Sequence, residues 1–266
     1  MLRPERDAGM PSRVPTADRP PAIQPAEESV RQTIRRLASA QKSSKGAPAY
    51  SRFVNRKAGR VLAAYAHRLR LTPNIVTMIS AGWSACGIAL LALARPTTVV
   101  GIAVTLCLAI GYAFDSADGQ LARLRGGGSP AGEWLDHVVD SGKICALHLA
   151  VLISFYRNGF HGSQLLIPVL WTWTATVLFF VIILNDQLHR ARGTAPRPDA
   201  PAPVLRSLLV APTDYGVLLL IFVFLGQHTL FVILYGALLV ANLAYLALGL
   251  TKWFRELSIL PAGGTS

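Results

Sequence analysis

Charge is scarce in this chain: 15% of its 266 residues are Asp, Glu, Lys or Arg, while 52% are hydrophobic. Soluble domains carry about 25% charged residues. Together with a mean hydropathy of +0.41, the deficit predicts an integral membrane protein. Cysteine is rare as well. Cys86, Cys107 and Cys145 are scattered through apolar segments without paired spacing, which excludes a disulfide framework and a zinc site and leaves them as helix-packing residues. Residues 1–25 hold no apolar stretch of the kind a secretory signal peptide needs, so insertion is expected to begin with the first spanning helix. Long internal repeats are missing too.

Long apolar runs are what the chain does have, at 75–94, 99–114, 144–156, 165–184 and 230–250, with a shorter one at 215–225. A bilayer-spanning helix needs about 20 such residues. The run at 144–156 reaches that length when the polar stretch before it is included, so the expected fold is all-α, with six transmembrane helices preceded by an interfacial amphipathic helix. The net charge of +12 does not require a nucleic-acid partner, because the position of the cations matters more than their number. With the N-terminus inside, only Arg95 and Arg157 fall in outer loops. Arg123, Arg125, Arg190, Arg192, Arg197, Arg206, Lys252, Arg255 and the basic N-terminal region fall inside, as the positive-inside rule requires. A cytoplasmic face turned toward anionic lipid accounts for the same charges. The expected location is therefore a bacterial plasma membrane, with both termini cytoplasmic.

Three regions follow along the chain: a disordered, basic extension (1–49), a membrane domain (50–255) and a short tail (256–266). Proline and charge in residues 1–28 leave too little apolar surface for a core, and 29–45 reads as a frayed surface helix. From Ser51 onward Val54, Val61, Tyr65 and Leu69 recur at helical spacing, while Arg52, Arg56, Lys57, Arg60 and Arg68 occupy other faces; this pattern suits a helix lying in the cytoplasmic interface. Thr72-Pro73-Asn74 opens the first span and Arg95-Pro96 closes it. Gly126 to Pro130 is a strong turn, so the second and third spans form an antiparallel hairpin with a cytosolic tip. A loop at 196–203 separates the fourth span from the fifth, and Gly226-Gln227 separates the fifth from the sixth.

The most specific stretch runs from Asp115 to Asp140, DSADGQLARLRGGGSPAGEWLDHVVD, with the form D-x2-D-G-x2-A-R-x8-G-x3-D-x3-D. Asp115 and Asp118 lie three apart and share one helix face; Asp136 and Asp140 lie four apart and share a face of the opposing helix. A charged side chain at membrane depth costs roughly 2.5 to 3.5 kcal/mol even on lenient scales. Four ionised carboxylates in one cleft therefore call for a bound cation, and all-oxygen ligands favour Mg²⁺ or Mn²⁺ over zinc. Gly119, Ala122 and Gly132 would let a bulky ligand approach the helix backbones, and Arg123 offers a forked donor to a phosphate.

This stretch resembles, at every defined position, the signature of the CDP-alcohol phosphotransferase (CDP-alcohol phosphatidyltransferase) family. Average residue usage puts a chance match on the order of 10⁻⁸. The six-span layout, the preceding interfacial helix and Pro73-Asn74 with Thr77 one turn later extend the resemblance over roughly residues 50–255. The resemblance implies attack by an alcohol on the phosphorus that bears the lipid or alcohol group of a CDP-alcohol, with release of CMP. Expected partners are a CDP-alcohol donor, most simply CDP-diacylglycerol, an alcohol acceptor, membrane lipid and a second copy of the chain. Carried over residue by residue, Asp115, Asp118, Asp136 and Asp140 are metal ligands, and Asp140 is also the catalytic base. Asp118, Gly119, Ala122, Arg123 and Gly132 shape the CDP pocket.

Lys143, Arg206 and Asp214 are candidate contacts for the acceptor or a phosphate, with Asn185 and Asp186 further candidates on the same side. His148 reads as a hydrogen-bonded packing residue and Asn242 as interhelical glue. Trp134, Trp171, Trp173 and Trp253 read as interfacial anchors, and Trp83 as a deeper packing residue. Phospholipid-synthesising relatives carry arginine at positions where this chain has Ser80 and Thr213-Asp214-Tyr215, which weakens the expectation of a phosphorylated acceptor. Two alternatives remain open: a small CDP-alcohol donor with a polyol phosphate or lipid acceptor, and, from a different class, a cation transporter with aspartates in its helices.

Overall fold

The computed structural model describes residues 29–39, 48–194 and 211–259; they are helices joined by short turns, with no strand among them. The readings placed on residues 1–28, on the loop at 196–203 and on Arg197 and Arg206 lie outside the described residues. The helices are α1 (Val30–Ser39), α2 (Arg56–Arg68), α3 (Pro73–Leu93), α4 (Thr98–Leu124), α5 (Pro130–Arg157), α6 (Leu166–Ala191), α7 (Tyr215–Ile221) and α8 (His228–Ser258). A wide turn, Ser51–Asn55, leads into α2, and a tight one, Phe222–Phe224, continues α7.

Polar caps set where the long helices begin. Thr72 accepts the Ile75 N–H at 3.3 Å, Thr97 the Val100 N–H at 3.2 Å and Ser129 the Gly132 N–H at 3.0 Å. Each satisfies a backbone donor that the first turn leaves without a partner. Pro73 and Pro130 occupy the first helical positions, where a missing N–H costs nothing. Gly126 and Gly127, at φ of 95° and 128°, make the reversal between α4 and α5 that a side chain would strain.

Among the described residues, five helical segments are long and apolar enough to cross a membrane: Pro73–Leu93, Thr98–Leu124, Pro130–Arg157, Gly162–Ala191 and His228–Ser258. Tyr215–Phe224 is apolar but shorter; at 1.5 Å per residue its described length falls well below a hydrocarbon core of about 30 Å.

Although a tight turn joins α4 to α5, the two do not lie along one another. α3 lies against both of them, α2 runs along α4, and α6 runs along α5. Close approach of α3 to α4 depends on small residues, since a Cβ on Gly111 would sit 2.5 Å from Ser84 Oγ and 3.1 Å from the Ser80 carbonyl. Ser80 Oγ donates to the Gly111 carbonyl at 2.8 Å across the same contact, the pattern by which apolar spans associate where burial from water provides no drive. The hairpin is thereby splayed, and its carboxylates face an opening.

Farther from the turn, the core joins α3 to α8 around Leu91, Leu108, Leu147, Phe222 and Tyr235. His148 stacks on Trp171 at 4.6 Å between ring centroids, and its Nδ1 lies 2.7 Å from the Tyr235 hydroxyl. Trp171 Nε1 donates to the Tyr235 carbonyl at 2.9 Å. The interfacial role expected of Trp171 is thus corrected: its indole finds a buried partner. Trp83, expected to pack, is 40% exposed instead. Asn242 does bridge elements, donating to the Pro212 carbonyl at 3.0 Å.

Gly101 is where α4 meets the turn after α7, and a Cβ there would fall on the Phe222 carbonyl oxygen. Backbone cannot swing aside as a side chain can. Gly101→Ala is therefore expected to destabilise the fold by about 1 to 3 kcal/mol, seen as a lower Tm in detergent, with catalytic residues untouched.

α1, expected to be frayed, is a formed helix in which Thr33 is buried and Leu37 joins a small cluster with Ala63, Ala64 and Ala66 of α2. Its arginines stay exposed.

Candidate active site

Asp115, Asp136 and Asp140 each present a carboxylate oxygen within 4.8 Å of the other two. Asp115 comes from the half of α4 nearer the turn, and Asp136 and Asp140 from the first three turns of α5. The splayed hairpin holds them across a gap instead of burying them in a helix–helix seam. Asp118 stands beside this trio, with Thr77 of α3 donating to its Oδ2 at 2.6 Å. One charge among these carboxylates is already balanced: Lys143 Nζ lies 2.6 Å from both Asp115 Oδ1 and Asp140 Oδ1, and 3.4 Å from Ser80 Oγ. Three hard oxygen donors converging at this spacing suit a divalent ion of the Mg²⁺ or Mn²⁺ type.

Two cavities, each of about 180 Å³, flank the trio and share Asp115. The first is lined by Arg56, Ser116, Asp118, Gly119, Arg123 and Asp136 among others. A Cβ on Gly119 would meet no neighbour nearer than Arg123 Nη1 at 3.5 Å, so the bare backbone of α4 faces open space there. The second holds Ser84, Tyr112, Asp140, Lys143, Phe179 and Tyr215. Tyr112 and Tyr215 meet edge to face at 5.1 Å. Of the remaining expected residues, Gly132 faces Asn74, whose Oδ1 would be 3.1 Å from an added Cβ, and Ala122 faces Gly128 across the turn.

Asp214 caps α7 by accepting the Gly216 N–H at 3.0 Å, and it also accepts the Ser51 N–H at 3.0 Å. It thereby ties the start of the α2 segment to α7. Beside it Tyr50 lies on Gly216, where any Cβ would strike its ring, and stacks on Tyr112 at 6.3 Å. Burial, with a smaller contribution from the Asp214 carboxylate, pushes the Tyr50 phenol up. Asp186 pairs with Arg190 on the exposed end of α6, and Arg190 also reaches Glu133 at the start of α5.

Sequence reasoning passed over Tyr112, Tyr215, Ser84 and Arg56. Tyr112 precedes Asp115 by three residues, a same-face spacing that could have flagged it. Arg56 had no such signal, since it comes from a separate helix. Its place on α2 read as one more basic residue on a solvated face.

The profile of the CDP-alcohol phosphatidyltransferase family matches residues 70–253, more than half of the chain. The chain belongs to the CDP-alcohol phosphatidyltransferase family. It is accordingly a membrane phosphotransferase of phospholipid metabolism that works with a divalent cation. Among solved structures it is similar to phosphatidylinositol phosphate synthase (PgsA1) of Mycobacterium tuberculosis with CDP-DAG bound. That match has 22% identity over 73% of this chain and 92% of that one, at a TM-score of 0.50. The same synthase in complex with manganese and citrate matches at 24% identity over 73% and 87%, with a TM-score of 0.48. A search of curated proteins gives no significant match. At this identity the likeness to the CDP-DAG-bound structure shows the fold alone.

Proposed function

We propose that this phosphatidyltransferase moves a phosphatidyl group from CDP-diacylglycerol to an alcohol acceptor, releasing CMP, at the cytoplasmic face of a bacterial plasma membrane. The observation that carries the reading is the convergence of Asp115, Asp136 and Asp140 on one point, between two cavities of different chemistry. The cavity with Gly119 and Arg123 suits a nucleotide diphosphate, because the bare helix backbone at Gly119 lets it approach closely and a guanidinium fork donates to phosphate oxygens. The cavity with Tyr112, Tyr215 and Lys143 then takes the acceptor. An open apolar groove of about 490 Å³ runs between α3 and α5 from Lys143 past Ala85, Ile88 and Ala146 to Ile153. Its small side chains suit an acyl chain, which favours a diacylglycerol donor over a small CDP-alcohol; the related PgsA1 structure carries CDP-DAG.

Asp115, Asp118, Asp136 and Asp140 are the ligand set for Mg²⁺ or Mn²⁺. When bound, the cation offsets the negative charge of the diphosphate and of the CMP leaving group. Asp140, with one oxygen on Lys143, has a second with which to take the acceptor's proton. The acceptor oxygen attacks the phosphorus bearing the lipid, the bond from that phosphorus to the bridging oxygen breaks, and the electron pair leaves on CMP. Arg123 donates to the diphosphate and Gly119 leaves it room beside the helix, while Lys143 fixes Asp115 and Asp140 relative to each other. Ala122 and Gly132 keep the rim of the nucleotide site free of bulk.

The same reading has six spans, Tyr215–Phe224 being the described part of the fifth, with α2 lying in the interface and both ends cytoplasmic. Exposed Val61 and Tyr65 alongside Lys57 on α2 fit such a position. A homodimer, implied by the resemblance alone, completes it.

Purified protein given CDP-diacylglycerol, Mg²⁺ and a panel of alcohols should release CMP with at least one of them. Cation flux in vesicles without CMP formation would favour a transporter instead.

A further inference from the structure

Among the described residues, the two cavities beside the carboxylate trio share only Asp115, so what shapes one need not shape the other. Tyr112 of α4 stands in the wall of the second, with Asp140, Lys143 and Tyr215. A tyrosine at such a place can hop between rotamers unless its ring is held. Tyr215 of α7 meets the Tyr112 ring edge to face at 5.1 Å, Tyr50 stacks on it at 6.3 Å with the ring planes 13° apart, and the Ser51 side chain hydrogen-bonds to its hydroxyl. Both ring contacts lie in the range of favourable aromatic pairs. Tyr50 and Ser51 precede α2 and lie outside the matched residues 70–253.

Tyr50 and Ser51 are themselves fastened to α7. Asp214 accepts the Ser51 N–H through one carboxylate oxygen and the Gly216 N–H through the other, each at 3.0 Å. Tyr50 lies against Gly216, where any Cβ would strike its ring, so glycine at this position is what seats the tyrosine. The pair therefore bridges α4 and α7, the two helices whose tyrosines wall the second cavity. α2 is held on α4 by separate contacts. A Cβ on Gly59 would lie 2.7 Å from Ser116 Cβ and Oγ, and Gln120 donates to the Arg56 carbonyl at 3.1 Å. Loosening Tyr50 or Ser51 thus leaves α2, and the first cavity with it, in place.

We propose that Tyr50 and Ser51 are positioning residues for the acceptor: from outside the family domain they lock the Tyr112 ring into the wall of the acceptor cavity, and so set how well the acceptor is held without acting on the donor's nucleotide site. The proposal rests on the functional reading above, which gives the second cavity to the acceptor.

The test is steady-state CMP release by the full chain in detergent with CDP-diacylglycerol and Mg²⁺, using as acceptor whichever of glycerol, inositol, serine and choline is turned over fastest. Equilibrium binding of CDP is followed on the same preparations. Tyr50→Ala should raise the acceptor KM about fivefold to tenfold, the scale of one aromatic pair, while kcat and CDP affinity stay within about twofold. Tyr50→Phe keeps the ring and should restore the wild-type KM. Ser51→Ala, which retains its N–H to Asp214, should raise the KM about threefold, the scale of one hydrogen bond. Added to Tyr112→Phe, which has already lost that bond, Ser51→Ala should change the KM no further. An unchanged acceptor KM in Tyr50→Ala would overturn the positioning role and leave the functional reading intact. So would CDP affinity falling in step with the KM, a Tyr50→Phe variant no better than Tyr50→Ala, or additive effects of Ser51→Ala and Tyr112→Phe, since each makes the pair a general support of the fold. Wild-type protein that releases no CMP with any of these alcohols would sink the positioning role and the functional reading together.

Discussion

Replacing Asp140 with asparagine should lower the rate of CMP release by about 10² to 10⁴-fold, the range over which a positioned general base contributes, while donor affinity changes by no more than about twofold. The substitution is nearly isosteric, and the amide oxygen can still accept from Lys143 Nζ, which lies 2.6 Å from Asp140 Oδ1 in the native chain. What disappears is the oxygen able to hold the acceptor's proton. Binding of CDP-diacylglycerol and CMP release, followed in one preparation, separate the two effects. Full activity would remove Asp140 as the base; loss of donor binding in step with activity would make it a binding residue.

Asp115→Asn should have an effect of similar size by a different route. Asp115 is the one residue common to both cavities and a member of the carboxylate trio. Removing its charge weakens the cation site and releases one arm of Lys143, which then has only Asp140 as an ionic partner. A divalent ion supplies several kcal/mol of charge stabilisation in such transfers, so at limiting Mg²⁺ the rate should drop on the order of 10³-fold, at 1.36 kcal/mol per tenfold. The signature is a metal titration displaced to higher Mg²⁺ by at least about tenfold. Glu256→Gln, at the far end of α8 beside Lys252, should titrate as wild type. An unshifted curve for Asp115→Asn would take this residue out of the cation site.

The four aspartates were legible because spacing on a helix is also direction. Residues three and four apart share a face, and a glycine-rich turn folds one face toward the other. The cap residues Thr72, Thr97 and Ser129 could be read for the same local reason. Trp83 and Trp171 were misread because composition cannot distinguish a lipid-facing indole from a buried one. In the fold, Trp171 has the Tyr235 carbonyl to donate to, and Trp83 lies 40% exposed. Asp214, a candidate pocket residue from sequence, lines a cavity with Tyr215 and His148, and its carboxylate also accepts two backbone N–H groups from separate segments.

By itself, the sequence determined that the chain is a helical membrane protein of this family, and which carboxylates share helix faces on either side of the glycine-rich turn, since hydropathy, turn residues and i to i+4 spacing are local properties. Only the tertiary structure decided that α4 and α5 are held apart with α3 against both, that Lys143 bridges Asp115 and Asp140, and that Arg56 reaches the site from a helix outside the signature. Those outcomes depend on how closely separate helices approach, at Gly59 against Ser116 and at Gly111 against Ser84. That distance is set by complementary surfaces far apart in the chain, which no periodicity records.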